Sequence, residues 1–283
     1  MESKGWIIVT GATGGMGEAL CRMLSGAGYP VIMACRNMEK GARLRERLVV
    51  STQQTAIDVM PLDLASLASV AAFVRSVKVS GRKISVLINN AGTMCGDFGL
   101  TEDGLERTVG VNYVGTYALT RGIVPCMAER GRIVNTLSCT YRLGKIDCNF
   151  LVPDPSAFSR FRNYSASKLA LLLFTLELAE REKGVEAHGV DPGVVDTGMI
   201  TMNRWFDPLA DKLFRPFIRT PEQGAGTALW LATADQVRGL SGRCWKNRRG
   251  MRIPDRVLHH AERGWLWQAT ERLVREKISD FPF

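Results

Sequence analysis

A tyrosine and a lysine lie at a spacing that suits proton transfer. Tyr164 and Lys168 are four residues apart, so a helix would place both on one face, one turn apart. Residues 169–178 are rich in Leu and Ala and contain no Pro or Gly, which predicts a buried helix that carries the pair. Because a fixed ammonium stabilises a phenolate, we expect Lys168 to lower the pKa of Tyr164 from about 10 toward neutral pH. Tyr164 is therefore a candidate general acid and base, and the alternative is a half-buried tyrosine beside a surface lysine.

A glycine-rich turn near the start of the chain is a second candidate site. Residues 6–10 form an apolar run of strand length, and Gly11, Gly15 and Gly17 follow it before a helix predicted over residues 18–24. A turn of this kind presents backbone N–H groups and the positive end of the helix dipole to the pyrophosphate of a dinucleotide. A tight strand–helix connection with no ligand is the alternative.

The end of the second predicted strand bears on which dinucleotide would bind. The apolar run 31–35 ends at Arg36 and Asn37, and Glu39 comes three residues after Arg36. Sites for NAD usually place a carboxylate at the strand end to hold the ribose 2′-hydroxyl, whereas a cation suits the 2′-phosphate of NADP. NADP(H) is therefore favoured, with Arg36 as the main contact. An exposed arginine without this role would leave the choice of cofactor open.

Short apolar runs alternate with helix-compatible segments along the chain. Predicted strands cover residues 6–10, 31–35, 57–63, 84–88, 131–138, 185–190 and 241–245. Predicted helices cover residues 18–24, 37–48, 67–77, 105–120, 169–178, 224–231 and 255–278. This alternation predicts an α/β fold, a single-domain Rossmann-type doubly wound parallel sheet of about seven strands flanked by helices. Ligands are expected at the carboxyl ends of the strands.

Polar side chains stand where several of these strands end. Asp63 ends the third strand, residues 89–92 follow the fourth, and Ser138 ends the fifth. Asn112 lies among apolar residues of a predicted helix, where a buried amide must find hydrogen-bond partners.

The composition fits a soluble or peripheral protein. The 283 residues carry a formal charge of +9, with a local cluster of cations over residues 243–252. A solvated basic surface with some cations for an anionic cofactor is the favoured interpretation, contact with an anionic membrane surface is the alternative, and no nucleic acid partner is expected. Seven scattered cysteines without C-x-x-C spacing predict neither disulfides nor a zinc site. With no signal peptide and no membrane-spanning run, they favour a cytoplasmic location.

The motifs, in this order, resemble those of the short-chain dehydrogenase/reductase family. The match covers nearly the whole chain and rests on Thr10 to Gly17, Asp63, Asn89 to Gly92, Asn112, Ser138, Tyr164 with Lys168, and Pro192 with Gly193. Three details resemble the retinol dehydrogenase-like branch. They are the run 34–37, the interval of 26 residues from Ser138 to Tyr164, and the C-terminal stretch 261–273.

The resemblance implies hydride transfer between a nicotinamide cofactor and a carbonyl or alcohol. Tyr164 would give or take the proton at the substrate oxygen, and Ser138 would hold that oxygen. Lys168 would lower the phenol pKa and bind the nicotinamide ribose, and Asn112 would support a water that joins Lys168 to solvent. No metal is required. The residues expected to bind NADP(H) are Thr10, Gly11, Thr13, Gly15, Met16, Gly17, Arg36, Asn37, Asp63, Leu64, Asn90, Ala91, Gly92, Tyr164, Lys168, Pro192, Gly193, Val195 and Thr197.

Residues 199–222 are interpreted as a substrate lid. Met, Trp and Phe recur between residues 198 and 220, which suits the wall of an apolar pocket, whereas packing on the same domain is the alternative. The lid would follow a cofactor-binding and catalytic core over residues 1–198, and a helical extension would cover residues 255–283. The expected substrate is a small lipophilic carbonyl or alcohol of retinoid, steroid or aldehyde type.

Two other functions use the same scaffold. An epimerase or dehydratase of this family would keep Tyr164 and Lys168 but usually has a larger C-terminal domain. A non-catalytic NADP-binding sensor or scaffold protein would be favoured by loss of Ser138, Tyr164 or Lys168, and all three are present. The resemblance further implies a homodimer or homotetramer through long helices, with a monomer as the alternative.

Overall fold

The described part of the chain forms one eight-stranded sheet. The structure is a computed structural model that describes residues 4–195 and 218–283. Its strands are β1 (Trp6–Thr10), β2 (Val31–Cys35), β3 (Ile57–Pro61), β4 (Ile84–Asn89), β5 (Met127–Thr136), β6 (Val185–Val190), β7 (Arg243–Lys246) and β8 (Arg249–Met251). They lie in the order β3-β2-β1-β4-β5-β6-β7-β8, and β1 to β7 run parallel. The predicted doubly wound parallel sheet is confirmed.

Helices connect the parallel strands. They are α1 (Gly15–Gly26), α2 (Met38–Thr52), α3 (Leu67–Val79), α4 (Arg107–Val109), α5 (Gly115–Ile123), α6 (Arg160–Arg181), α7 (Pro221–Thr233), α8 (Asp255–Leu258) and α9 (Arg263–Lys277). A π-helix, Gly110–Val114, joins α4 to α5, and short 3-10 helices cover Val124–Cys126, Cys139–Leu143 and Asp235–Val237. Within the two described ranges, no helix has the length and apolar character that crossing a membrane requires.

Two apolar cores cover the two faces of the sheet. Ile7 and Val9 of β1 belong to one core and Ile8 to the other, and all three are fully buried. Successive residues of a strand point to opposite faces, so a strand covered on both sides needs the unbroken apolar run that β1 has.

The sheet extends in two directions from β1. β2 and β3 lie on one side of β1, and β4 to β7 continue the sheet on the other side. A reversal of strand order in a parallel sheet leaves a crevice at the carboxyl ends of the two central strands, which are β1 and β4 here. This crevice lies at the carboxyl edge of the sheet, where the sequence places its polar residues.

The eighth strand was not predicted. β8 pairs antiparallel with β7, and Asn247 and Arg248 between them have φ values of 53° and 59°. Both values lie in the left-handed region, so these two residues form a tight hairpin turn without glycine. Asn-Arg is not one of the dipeptides that signal a hairpin, which is why the pattern fails here.

The helix predicted over residues 105–120 contains a π-helical turn. The Gly110–Val114 segment has π geometry, and Gly115 follows it at the start of α5. A Cβ atom on Gly115 would lie 2.2 Å from the carbonyl oxygen of Leu64, so the close approach of α5 to the end of β3 requires glycine. Such turns are frequent at functional sites, and this one carries Asn112.

The stretch predicted as one helix over residues 255–278 is two helices. Residues 259–262 separate α8 from α9. Trp267 of α9 packs against Tyr117 of α5 and Phe174 of α6, with ring centroids 5.3 and 5.7 Å apart. The C-terminal extension therefore packs on the two helices that cover one face of the sheet.

Most of the predicted lid lies outside the described residues. Its last residues are described, and there Thr220 caps α7 in a reciprocal pair with Gln223, while Pro221 occupies the first helical position. Pro221 and Glu222 therefore belong to α7 and not to a separate lid segment.

Candidate active site

The parallel strands bring the predicted site residues to the carboxyl edge of the sheet. Each residue follows the end of a different strand, so residues that are far apart in the chain lie side by side. In the spatial order of the strands from β3 to β6, these residues are Asp63, Arg36, Gly11, Asn90, Ser138 and Pro192.

Thr10 ties the glycine turn to the end of β4. Its buried hydroxyl oxygen accepts the N–H groups of Asn90 and Ala91 at 3.0 and 2.9 Å. Its carbonyl oxygen accepts the side-chain N–H of Asn90 at 2.8 Å. The Oδ1 of Asn90 is buried and has no hydrogen-bond partner among the described residues. Buried acceptors are normally paired, so this atom suits a donor on a ligand.

Close packing in the turn requires glycine at two positions. Gly11 has a φ of 62°, and a Cβ atom there would lie 3.0 Å from Ala91. A Cβ atom on Gly17, in the first turn of α1, would lie 2.1 Å from the carbonyl oxygen of Gly11. The exposed Gly15 begins α1, and the first N–H groups of a helix have no partner within it. The turn can therefore receive a phosphate group.

Asn112 and Lys168 meet beside Gly92. A Cβ atom on Gly92 would lie 3.5 Å from both the Oδ1 of Asn112 and the Nζ of Lys168. The buried Asn112 side chain accepts the N–H of Thr93 at 2.7 Å, and its Nδ2 donates to the carbonyl oxygen of Thr93 at 2.8 Å and to the Oγ of Ser167 at 3.0 Å. These bonds fix the amide between the loop after β4 and helix α6.

Lys168 is a buried cation. Its side chain lies on α6, the residue is only 3% exposed, and its Nζ donates to the carbonyl oxygen of Thr136 at 2.8 Å. Burial lowers the pKa of Lys168 from 10.5 to about 8, because the charged form loses its hydration. The side chain therefore still carries its charge at neutral pH.

The pKa of the Tyr164 phenol differs from the prediction. Burial raises the pKa of Tyr164 above its ordinary value of 10.0, and the nearby Ser138 hydroxyl opposes that shift. The Nζ of Lys168 lies 5.6 Å from the centroid of the phenol ring and is held by Thr136. The predicted lowering of the phenol pKa by Lys168 is therefore wrong for this arrangement. At neutral pH Tyr164 is a protonated phenol that can donate a proton.

Ser138 lies two residues after the end of β5 at this edge. Its Oγ accepts the N–H of Thr140 at 3.4 Å and the hydroxyl of Thr140 at 3.1 Å, and it thereby caps the 3-10 helix that follows. The hydroxyl hydrogen of Ser138 can then be donated to another oxygen.

Some of the predicted cofactor residues after β2 and β3 also make hydrogen bonds or contacts that stabilise the fold. Arg36 is exposed, and the Oδ1 of Asn37 caps α2 by accepting a backbone N–H of its first turn at 2.8 Å. The Oδ1 of Asp63 accepts the N–H two residues later at 2.9 Å. Leu64 is buried against the start of α5. These contacts fix the two strand ends and leave Arg36 at the surface.

The loop after β6 begins with a fixed turn. Gly193 has a φ of 80°, and its N–H donates to the Oδ1 of Asp191 at 2.9 Å across the buried Pro192. The other oxygen of Asp191 accepts from the Nζ of Lys246 in β7 at 2.9 Å. The turn after β6 is therefore tied to the neighbouring strand β7.

The same loop reaches the glycine turn. A Cβ atom on Gly224 of α7 would lie 2.5 Å from Val195 and 3.2 Å from the Sδ of Met16. Val195 and Met16, both predicted cofactor residues, therefore pack close to Gly224. Thr13 lies half-buried in the turn. Thr197 lies outside the described residues.

Comparison with known sequences shows the family to which the chain belongs. Residues 5–205 match the sequence profile of the short chain dehydrogenase family. Retinol dehydrogenase 12 of Mus musculus is 35% identical over 272 residues, which cover 95% of this chain and 85% of that protein. The chain belongs to the short-chain dehydrogenase family.

Further relatives agree with this family. Polyprenol dehydrogenase of Mus musculus is 35% identical to this short-chain dehydrogenase over 247 residues, which cover 83% of this chain and 73% of that protein. The crystal structure of an uncharacterised protein from Mycobacterium paratuberculosis has a TM-score of 0.76 and 29% identity, covering 96% of this chain and 94% of that one. The dehydrogenase is thus an oxidoreductase that acts on CH–OH groups.

The residues of this short-chain dehydrogenase fit a nicotinamide dinucleotide. The glycine turn at the start of α1 offers unpaired N–H groups for phosphates. Asn90, whose Oδ1 is unpartnered, is bonded to Thr10 beside this turn. Ala91 and the open approach at Gly92 beside Lys168 follow Asn90 in the chain. These features run along the crevice between β1 and β4, where a doubly wound sheet binds dinucleotides.

Several residues that hold the site were not predicted from the sequence. Thr93 and Ser167 orient Asn112, and the carbonyl oxygen of Thr136 holds Lys168. Asn135 is another such residue, since its Oδ1 accepts the Nδ2 of Asn89, a residue of the sequence motif, at 2.7 Å and joins β5 to β4. Only Ser167 had a local signal, since it is a polar residue directly before Lys168 and residues 169–174 after the lysine are all apolar.

Proposed function

We propose that this protein is an NADP(H)-dependent oxidoreductase that interconverts a carbonyl and an alcohol on a small lipophilic substrate. The observation that carries the proposal is the meeting of Asn112 and Lys168 beside Gly92, at the same edge as Ser138 and Tyr164. A buried ammonium, a fixed amide, a hydroxyl and a phenol at the switch point of a doubly wound sheet are the groups that a carbonyl reduction needs.

Tyr164 and Ser138 act at the substrate oxygen in this proposal. In reduction, the phenol of Tyr164 donates its proton to the carbonyl oxygen, and in oxidation the phenolate takes the proton of the alcohol. When bound, the nicotinamide supplies or accepts the hydride. The Ser138 hydroxyl donates a hydrogen bond to the same oxygen, where negative charge develops. The raised pKa of Tyr164 keeps it protonated at neutral pH, which is the form that reduction requires.

Lys168 and Asn112 support Tyr164 and the cofactor. The ammonium of Lys168 lies beside Gly92, where it would bind a ribose hydroxyl. In oxidation, the same charge would stabilise the phenolate if Nζ turned from the Thr136 carbonyl toward the ring 5.6 Å away. Asn112 would hold a water that connects Lys168 to solvent. The short distance of both side chains from Gly92 supports this role.

Arg36 supports NADP(H) as the cofactor. Its exposed side chain directly follows β2, and the next residue, Asn37, is neutral and caps α2. A cation without a neighbouring carboxylate at this strand end suits a 2′-phosphate. The other proposed cofactor residues are those of the glycine turn, Asp63 and Leu64, residues 90–92 and the loop after β6, with Thr197 beyond the described part of that loop.

The relatives support a lipophilic substrate. Retinol and polyprenol are long apolar alcohols, and two relatives that are 35% identical to this chain are named for them. The proposed lid contains Met, Trp and Phe residues that suit an apolar pocket. A retinoid, a steroid or an aliphatic aldehyde is therefore the proposed substrate class.

Location and assembly are further parts of the proposal. Seven free cysteines within one chain support the reducing environment of the cytoplasm. The family resemblance implies a homodimer or homotetramer through long helices. The packing of Trp267 on α5 and α6 supports a monomer instead, because these helices already have an apolar partner from their own chain.

NADPH consumption, followed by absorbance, tests the proposal. We expect turnover of retinal, a steroid ketone or a long-chain aldehyde with NADPH, and slower turnover with NADH. Arg36→Ala should raise the KM for NADPH by roughly tenfold and leave the KM for NADH unchanged, since one charge-assisted contact is lost. The control is Arg43→Ala on the exposed face of α2, where Arg43 pairs with Glu39.

The other outcomes of this assay would favour a different substrate class or a different function. Activity confined to small polar carbonyls would contradict the substrate class. Tight NADPH binding without turnover would favour a sensor or scaffold protein. Conversion of a substrate without net consumption of NADPH would favour an epimerase or dehydratase.

A further inference from the structure

Exposed apolar side chains are concentrated at the carboxyl edge of the sheet. Eight large hydrophobic side chains are exposed among the described residues, and two of them, Val50 and Val79, lie near the C-terminal ends of α2 and α3 at the opposite edge. Scattered apolar residues are normal on a protein surface, but such a concentration marks an interaction site. The six at the carboxyl edge, which follow β2, β4, β5 and β6, are Met38, Leu100, Leu143, Val152, Phe161 and Val194.

The segment between Ser138 and Tyr164 provides three of these side chains. Leu143, Val152 and Phe161 are 65%, 64% and 49% exposed. The same segment is well anchored, because Phe158 packs edge-on against a ring of the loop after β4 and Phe150 packs against a ring of the π-helix, each with centroids 5.8 Å apart. The segment therefore buries some of its apolar residues and presents others to solvent.

Cations accompany the exposed apolar residues. Residues 139–162 contain four Lys or Arg and two Asp, which gives a net charge of +2. Arg142, Lys145 and Arg162 are exposed. One of the two carboxylates, Asp154, already accepts two backbone N–H groups and a serine hydroxyl. The hairpin turn after β7 adds the exposed Arg248 at the same edge.

We propose that this face docks on the surface of an anionic lipid bilayer. We call it the carboxyl-edge surface and define it by Leu143, Val152 and Phe161 with the cations Arg142 and Lys145 beside them. Apolar side chains can enter the boundary between headgroups and acyl chains while neighbouring cations contact lipid phosphates. An acidic protein partner would match the cations but would leave the three apolar side chains in water. Charge and apolarity together therefore favour the lipid surface.

Docking in this orientation turns the crevice toward the membrane. Ser138 and Tyr164 lie at the two ends of the segment that carries the docking side chains. A lipophilic carbonyl could then pass from the bilayer to the site without crossing bulk water. This consequence rests on the proposed function, whereas the docking itself does not.

Vesicle co-sedimentation tests the proposal. We expect the full chain to sediment with phosphatidylcholine vesicles that contain phosphatidylserine, and to be released by salt or by omission of phosphatidylserine. The triple variant Leu143→Ser, Val152→Ser, Phe161→Ser should lower the partition coefficient by roughly tenfold or more, because three apolar side chains no longer leave water. The matched control is Val50→Ser with Val79→Ser at the opposite edge, which should bind like the wild type. All five residues are exposed, and a thermal unfolding curve checks that each variant is folded.

Three results would overturn the docking proposal. The wild type could fail to sediment with any vesicle, or both variants could lose binding equally. The triple variant could also dissociate a dimer in sedimentation velocity, and the surface would then be an interface between copies of this chain. NADPH affinity and turnover are measured on the same samples, so a failure of docking is distinguished from a failure of the proposed function.

Discussion

Lys168 shows how a residue needed for chemistry can oppose folding. Its ammonium is buried on α6 with one described hydrogen-bond partner, the carbonyl oxygen of Thr136. Burial of a charge that no carboxylate neutralises destabilises the folded state, and the lowered pKa of Lys168 measures that effect. An apolar side chain of similar length would avoid it.

Lys168→Met should therefore make the protein more stable and inactive. We expect the free energy of unfolding to rise by about 1–3 kcal/mol at neutral pH, after loss of the Thr136 hydrogen bond is subtracted. The pKa is about 8 in the folded protein and 10.5 in its ordinary state, so the unfolded chain binds more protons between these values. The wild type thus gains stability as pH rises from 8 to 10.5. The difference in the free energy of unfolding between Lys168→Met and the wild type therefore shrinks over this range. Urea unfolding at several pH values measures both effects.

Lys145→Met is the matched control for Lys168→Met. Lys145 is exposed and stands four residues after Tyr141, the same spacing as in the candidate pair. We expect no change in turnover or in the pH dependence of stability. A Lys168→Met variant that is less stable at every pH would contradict the account, because the buried ammonium would then be net stabilising.

The repeated spacing shows what residue patterns can predict. Tyr141 and Lys145 match the same pattern, but Tyr141 lies buried in a 3-10 helix and Lys145 points to solvent. The apolar run after Lys168 predicted a buried helix for Tyr164 and Lys168, and both residues lie on α6. The bond from Lys168 to Thr136 was not predictable from spacing, because it depends on how α6 lies across the end of β5. The expected lowering of the Tyr164 pKa failed for this reason.

At the scale of elements, the connection from β1 to α1 is the most constrained. Gly17→Ala would place a Cβ atom 2.1 Å from the carbonyl oxygen of Gly11, so the turn would have to open. We expect a loss of about 1–3 kcal/mol in stability and roughly tenfold weaker NADPH binding. Thermal unfolding and titration of NADPH fluorescence measure the two effects.

Gly14→Ala is the control in the same turn. Gly14 has a φ of −85°, and its nearest contact from a Cβ atom would be 3.4 Å, to the carbonyl oxygen of Gly11. We expect this variant to keep its stability and its NADPH affinity. Equal effects of the two substitutions would show that the close approach at Gly17 does not decide the shape of the turn.

Strong local patterns predicted the elements, and tertiary contacts altered their details. The apolar runs of β1 and β2 and the uninterrupted helix around Tyr164 were predicted because burial on all sides leaves a clear signal. The π-helical turn before Gly115 depends on the approach of α5 to Leu64, and no local pattern encodes it. β8 was missed because its turn uses Asn247 and Arg248 in place of glycine.

At the scale of the whole molecule, α9 closes one face of the protein. Trp267 is 5% exposed and packs on Tyr117 and Phe174, and the guanidinium groups of Arg121 and Arg181 lie 4.8 and 5.0 Å from its ring. A buried tryptophan with this many partners carries a large share of the packing energy of the helix.

Trp267→Ala should lower the free energy of unfolding by about 3–5 kcal/mol, because it leaves a cavity between three helices. It should also expose the aromatic rings of α5 and α6 and promote self-association of a protein that we expect to be a monomer. Urea unfolding and sedimentation velocity measure these effects. Gln268→Ala changes the exposed neighbour on α9 and should change neither. A wild type that sediments as a dimer, with Trp267→Ala releasing monomers, would contradict this account of the face.

The central claim is that Tyr164 transfers the proton that accompanies hydride transfer. Its most direct test is to measure NADPH affinity and the rate of NADPH oxidation, with an apolar aldehyde in excess, for Tyr164→Phe beside Tyr141→Phe. Tyr141→Phe removes a buried phenol oxygen that has no described hydrogen-bond partner, so it should keep both properties. We predict that Tyr164→Phe binds NADPH normally and loses roughly a hundredfold or more in rate. A Tyr164→Phe variant that turns over at the wild-type rate would contradict the claim and place the acid elsewhere in the site.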